Sequence, residues 1–137
     1  LPDYTWKLSQ RQSEIFLNSL IEGDGTKDRN SLKFTTSSKQ LANDFQRLCI
    51  HSGYSGNIRS GNPVGYTHEF NGKDITVKLN AYIISVIKKC QPAIHDGKDT
   101  ASTIDRFIHY NGRVVYIKTP NHTLFVRRNG KVSIAGC

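Results

Sequence analysis

The chain contains no methionine at all, so it does not open on an initiator residue, and Leu1-Pro2-Asp3 reads as the start of a fragment or a processed product. It holds three cysteines, Cys49, Cys90 and Cys137. Their odd number and wide spacing argue against a disulfide framework and give no metal-ligand pattern, and Cys49 and Cys90 read as core thiols in a reducing compartment. No apolar run reaches the length needed to span a bilayer, and no secretory signal precedes the first charged segment, so neither membrane insertion nor export is expected. Acids are also scarce. Against 19 Lys and Arg there are 11 Asp and Glu, a formal charge of +8. An imbalance of that size favours a polyanionic partner, most simply nucleic acid.

What is present begins with Leu17-Asn18-Ser19-Leu20-Ile21-Glu22-Gly23-Asp24-Gly25. Trp6, Leu8, Ile15, Phe16, Leu17, Leu20 and Ile21 recur at spacings near three and four, which predicts a helix from about Ser9, as N-cap, to Glu22. Gly23 and Gly25 bracket Asp24, so a turn through positive φ is expected, with the carboxylate at the negative end of the helix dipole, where a bound cation would offset its cost. Thr26 to Ser31 reads as a polar loop. The alternation in Leu32-Lys33-Phe34-Thr35-Thr36 predicts a strand, and Ser37 or Ser38 caps a second helix burying Leu41, Ala42, Phe45, Leu48 and Cys49. Tyr54 to Ser60 reads as a strand. Tyr66–Phe70 and Ile75–Leu79 flank Asn71-Gly72 as a tight hairpin. Ala81 to Lys88 is β-branched and apolar, favouring another strand. The order is that of an α+β fold.

The nine-residue run resembles the motif of the LAGLIDADG homing endonucleases, matching at Leu17, Leu20, Ile21, Asp24 and Gly25, with Glu22 conservative and Asn18 and Ser19 replacing Ala and Gly. The element order is similar to that family's α-β-β-α-β-β unit, and the segments 35–42 and 48–58 look like the endonuclease insertions of inteins. The resemblance implies several things. Asp24 would bind Mg²⁺, with Lys88 or Lys89 as the nearby cation. Alternation on a sheet, independently of the resemblance, would let Lys33, Thr35, Arg59, Thr67, Glu69, Thr76 and Lys78 project from one side towards the phosphates and base edges of double-stranded DNA. A homodimer would form through the Leu17–Gly25 helix to cut both strands.

Residues from 91 up to 103 read as a linker, 103–110 as a short amphipathic segment, and 113–118, 124–126 and 132–134 as three strands of a meander too small to fold alone. Pro120-Asn121-His122-Thr123-Leu124-Phe125-Val126-Arg127-Arg128-Asn129-Gly130-Lys131 resembles the C-terminal splicing block of inteins. That resemblance implies a Hint-type splicing domain completed by residues 105–137, following an endonuclease-like domain at 1–98. His122 would assist cleavage at the C-terminal junction, and Cys137 would stand where the final Asn or the first residue of the flanking protein belongs. An N-terminal intein fragment would be the splicing partner. Splicing would need no cofactor, and the setting would be the cytoplasm of a phage or bacterial host. Tyr116 departs from the family's usual Cys or Asp, and no Asn adjoins Cys137, so Asn cyclisation is unavailable to the chain as written. Thr119-Pro120-Asn121-His122 also fits the Thr-x-x-His block literally, although it comes too near the chain end to leave room for the rest of a splicing fold, which favours the C-terminal assignment.

Overall fold

A computed structural model describes residues 1–28, 31–88 and 109–136. A short 3₁₀ turn, Asp3–Lys7, leads into α1 (Gln10–Asp24). Ser9 caps α1 with a reciprocal box. Its hydroxyl accepts from the Gln12 amide at 3.4 Å, while its own amide donates to the Gln12 side chain at 3.0 Å. The chain then forms β1 (Gly25–Asp28), β2 (Ser31–Thr36), α2 (Lys39–His51, capped by Ser38) and β3 (Ser55–Ser60). A hairpin follows, β4 (Thr67–Phe70) and β5 (Lys73–Thr76), and then β6 (Tyr82–Ile87), β7 (Thr123–Arg128) and β8 (Lys131–Gly136).

The central sheet is antiparallel in the order β1-β2-β6-β3. Its alternation puts Leu32, Phe34, Ile84, Val86 and Ile58 on the side covered by the helices. Leu17 and Ile21 of α1 and Ala42, Phe45, Leu48 and Cys49 of α2 complete that core, with Phe34 and Phe45 stacked at 4.3 Å between centroids. Burying one such ring is worth about 2–3 kcal/mol, so this pair locks α2 to the sheet. The α-β-β-α-β-β plan is therefore present, with the β4–β5 hairpin inserted between β3 and β6. Its Asn71-Gly72 turn takes φ of 52° and 72°, the mirror-image turn that suits a two-residue hairpin.

Three expectations need correction. The stretch after Asp24 is not a loop, because Thr26–Asp28 pairs with β2 in full register. Polar residues form this strand because it lies at the sheet edge with one face open. Gly25 is not in the left-handed region either, with φ −96°. Glycine is needed there because a Cβ would lie 2.6 Å from the Ile21 carbonyl oxygen, where the helix passes directly into β1. Residues 113–118, expected as a strand, join no ladder, and Val114, Val115 and Tyr116 are 83%, 69% and 74% exposed. β-branched apolar residues make a strand only where a neighbouring strand accepts their backbone, and the described residues provide none there. The meander is thus a hairpin of two strands.

That hairpin does not stand apart. Its turn, Asn129-Gly130 with φ 50° and 74°, sits against β3, and the Ile58 amide donates to the Gly130 carbonyl at 2.8 Å. The buried Gln46 amide donates to the carbonyls of Gly56 at 2.6 Å and Gly130 at 2.7 Å, while Arg127 donates to Asn43 at 2.7 Å and to Gln46 at 3.2 Å. The expected boundary and amphipathic segment, together with Lys89, Cys90 and Cys137, fall wholly or mostly outside the described residues.

Candidate nucleic-acid interface

The face of the central sheet turned away from the helices follows from the register. Thr26 pairs with Lys33, Lys33 with Ser85, and Ser85 with Asn57, giving one polar rung across all four strands. The next rung runs Thr35, Ile83, Arg59. Thr26, Thr35 and Arg59 are exposed, and Lys33, Ser85 and Asn57 are half-buried among their neighbours. Lys33 and Arg59 therefore lie on one surface, as the alternation predicted, with hydroxyl and amide groups between them. Cations fix phosphates, while amides and hydroxyls meet base edges.

Asp24 ends α1 one residue before Gly25, whose partner Phe34 precedes Thr35, so it enters the sheet at the level of the Thr35–Arg59 rung. It is exposed. Lys88 lies elsewhere. It follows Ile87 on β6, five positions beyond Ile83, and β6 runs in the same direction as β1, so rise alone carries it about 16 Å from the level of Asp24. Its ammonium rests over the Tyr54 ring at 5.4 Å. The structure does not bring Lys88 to Asp24. Thr67, Glu69 and Thr76 sit on the separate β4–β5 hairpin, and Lys78 lies past the end of β5.

Among the described residues there is no group of three or more His, Cys, Asp or Glu side chains able to hold a metal ion. Asp24 offers one carboxylate, and Mg²⁺ requires an octahedron of oxygens.

His122 stands at the start of the β7–β8 hairpin in the left-handed region, φ 54°, with its amide donating to the Thr119 carbonyl at 3.1 Å. Its neighbour Thr123 pairs with Gly136. The hairpin thus brings His122 beside the chain's penultimate residue, fourteen positions later. Two groups escaped the sequence reading. Gln46 was not singled out on the second helix, yet it joins the tail to the domain. Tyr54 donates a short hydrogen bond to Glu14, and this contact, with lesser contributions from burial and from the Glu14 charge, holds its phenol above the usual tyrosine range. Neither contact has a signature in local sequence.

Two helices on one side of an antiparallel sheet and an open, basic, polar face on the other define an α+β unit suited to nucleic acid. The model of the LAGLIDADG-like domain matches residues 12–84, just over half of the chain. The chain belongs to this family, whose domains bind DNA and often dimerise and whose endonucleases generally use a divalent metal such as Mg²⁺. It is similar to a stretch of the DNA-directed RNA polymerase subunit beta C-terminal section of Stigeoclonium helveticum, 30% identical over 159 aligned positions that cover 95% of this chain and 15% of that protein. It is also similar to part of an ATP-dependent Clp protease proteolytic subunit of Chlamydomonas moewusii, 41% identical over 61 positions, covering 43% of this chain and 6% of that protein. The chain thus spans only a small part of either relative's length. No solved structure matches it significantly. No described helix is long and apolar enough to cross a membrane.

Proposed function

We propose that this chain is the C-terminal portion of an intein, a homing-endonuclease-type element whose LAGLIDADG-like domain binds double-stranded DNA. Its terminal hairpin would act in protein splicing with an N-terminal intein fragment. The observation behind the reading is the pairing of Thr123 with Gly136, which sets His122 beside Gly136, the residue that resembles the penultimate position of an intein. The relatives support it. A polymerase subunit and a protease subunit share no activity by name, yet each contains a minor segment similar to this chain, as expected of an element inserted into unrelated hosts. In the polymerase relative, 95% coverage carries the similarity well beyond residue 84 into the tail, so domain and tail travel together.

In this reading the Cys137 thiolate receives the acyl group from the N-terminal fragment's thioester or ester, whose own nucleophile leaves as thiol or hydroxyl. Because no Asn adjoins Cys137, water would act as the nucleophile at the Gly136 carbonyl: the Gly136–Cys137 bond breaks, His122 gives a proton to the departing Cys137 amine, and that amine then takes the acyl group from its own sulfur. An affinity-tagged chain mixed with the N-terminal fragment tests the association. Co-purification is expected, and its absence across salt and temperature would refute the pairing.

A second reading, a Mg²⁺-dependent endonuclease in which the tail only buttresses the domain, is favoured by the docking of the β7–β8 hairpin onto β3 through Gln46. One motif supplies one acid whereas two strands must be cut, so this reading requires a second copy joined through α1. Leu17 and Ile21 of that helix are already used in the core, leaving Ile15, Ser19 and Glu22 exposed for such a contact. Double-strand cleavage lost in Asp24→Asn would support this reading.

A further inference from the structure

The β7–β8 hairpin docks beside the first turns of α2 without closing onto them. Between the two lies a cleft of about 230 Å³, walled by Lys39 and Asn43 of α2, by Arg127 and Gly130 of the hairpin and by Tyr82 of β6. Ala42 and Ile58 add apolar surface. Ile58 and Tyr82 pack on the helix side of the sheet, so the cleft is on the opposite side from Lys33 and Arg59. The polar groups around it are unbalanced. Two acceptors of its wall are already used. The Asn43 side-chain oxygen accepts from Arg127 at 2.7 Å, and the Gly130 carbonyl accepts from the Ile58 amide at 2.8 Å and from the Gln46 side chain at 2.7 Å. The donors are not used. Arg127 spends Nη1 on Asn43 and Gln46, which leaves the Nε–Nη2 edge of its guanidinium without a partner among the described residues. The same holds, among those residues, for the Lys39 ammonium, the Asn43 side-chain nitrogen and the Tyr82 hydroxyl. No carboxylate of the described residues lines this cleft, and Asp44, next to Asn43 on α2, lines a neighbouring hollow instead.

We infer that this cleft binds a phosphate group, either inorganic phosphate or the phosphate end of a small monoester, and that its occupant clamps the tail hairpin to the domain. Unused donors beside used acceptors call for a ligand that mainly accepts, and Lys39 and Arg127 give it two positive charges. A phosphate dianion offers strong acceptor oxygens. The free guanidinium edge matches two of them side by side, and the ammonium serves as a point charge for another. The volume lies below the roughly 300 Å³ at which pockets for drug-sized ligands begin, so it suits a phosphate with a few further atoms rather than a whole nucleotide. Lys39, Asn43 and Tyr82 belong to the domain and Arg127 to the tail, so the full set of donors exists only while the hairpin is docked. Binding therefore favours the docked hairpin by mass action. The inference needs the docking of the hairpin alone and does not depend on splicing or on DNA binding.

The test uses the whole chain at about pH 7.5, where phosphate is mostly the dianion, and at constant ionic strength. It is titrated with inorganic phosphate, with glycerol 3-phosphate and with chloride, and read by calorimetry and by hydrogen exchange at the Ile58 amide. One saturable site per chain is expected for the two phosphates and none for chloride. At a free concentration about 100 times Kd, exchange at Ile58 should slow by about 100-fold. Tighter binding of glycerol 3-phosphate assigns the site to a monoester and equal binding assigns it to free phosphate, and both support the inference. Lys39→Gln and Tyr82→Phe should each weaken binding by about 5- to 10-fold. Neither residue holds the hairpin, so both variants should keep the parent's Ile58 exchange when no phosphate is present, which separates a lost site from a lost fold. Absence of saturable binding, or an equal response to chloride, would overturn the inference. So would phosphate binding that survives in Lys39→Gln and Tyr82→Phe but is lost in Lys33→Ala and Arg59→Ala, which would place the anion on the sheet face.

Discussion

Replacing Gln46 with alanine removes a side chain that ties the tail hairpin to both α2 and β3. Gln46 is 1% exposed, and its amide donates to the Gly56 and Gly130 carbonyls at 2.6 and 2.7 Å while accepting from Arg127 at 3.2 Å. Gly130 keeps the Ile58 amide as a donor, whereas Gly56 loses the Gln46 donor at a buried position. A buried acceptor left without a donor costs about 1–3 kcal/mol, and a lost hydrogen bond with partial rescue about 1 kcal/mol, so the expected loss is about 2–3 kcal/mol. Its location is as diagnostic as its size. The Ile58 amide is held by Gly130, so in Gln46→Ala its exchange with solvent should accelerate by about 30-fold or more, since each 1.4 kcal/mol is tenfold, while amides in the middle of α1 are less affected. Gln46→Glu should be worse than alanine, because it sets a carboxylate against two carbonyl oxygens. If Ile58 exchange is unchanged in Gln46→Ala, the hairpin is not held by this residue and the account of the tail is wrong.

Other outcomes follow from single contacts. Gly130→Ala forces a Cβ into the Ile58 carbonyl at φ 74°, and should release the hairpin in the same exchange experiment without unfolding the core. Burial pushes the Cys49 thiol up to about 12, so in the native chain at pH 8 it should resist iodoacetamide and react fully only in denaturant, as read by peptide mapping. The same shift fixes the sign of a pH effect. The folded state holds this proton more tightly than the unfolded one, so its contribution is complete below the unfolded thiol value near 8.5. It falls as pH rises towards 12, by up to about 1.4 kcal/mol per pH unit, and Cys49→Ala should flatten that part of a urea-stability profile. Arg59→Ala should lower DNA affinity across sequences and reduce the slope of log affinity against log salt by about one, in fluorescence anisotropy titrations.

Most of the architecture was legible because its determinants are local. The capping residues Ser9 and Ser38, the turn at Asn71-Gly72 and the alternation through Phe34 and Ile84 each act within a few positions, and the helices, hairpin and inner strands follow from them. β1 was not legible, because an edge strand with one open face needs no apolar alternation, and its pairing with β2 is a tertiary fact. Residues 113–118 failed in the opposite sense, having strand composition without a neighbour. In the candidate site, Lys33 and Arg59 were found from period alone, because a common sheet preserves it. Lys88 was misplaced because strand direction, which composition does not encode, carries it away from Asp24. Gln46 had no signal at all, since its partners lie 10 and 84 positions away.

The central claim is that the terminal hairpin serves a junction which His122 helps to cut. The most direct measurement is intact-mass analysis after co-expression of this chain and the N-terminal intein fragment, each carrying its flanking protein segment, with this chain as the parent sequence and as His122→Ala. The account predicts a ligated product lacking the inserted element from the parent, and accumulation of precursor or of an intermediate still joined at the C-terminal junction from His122→Ala. A parent polypeptide that remains at its full mass, or a His122→Ala variant that splices at the parent rate, would contradict it.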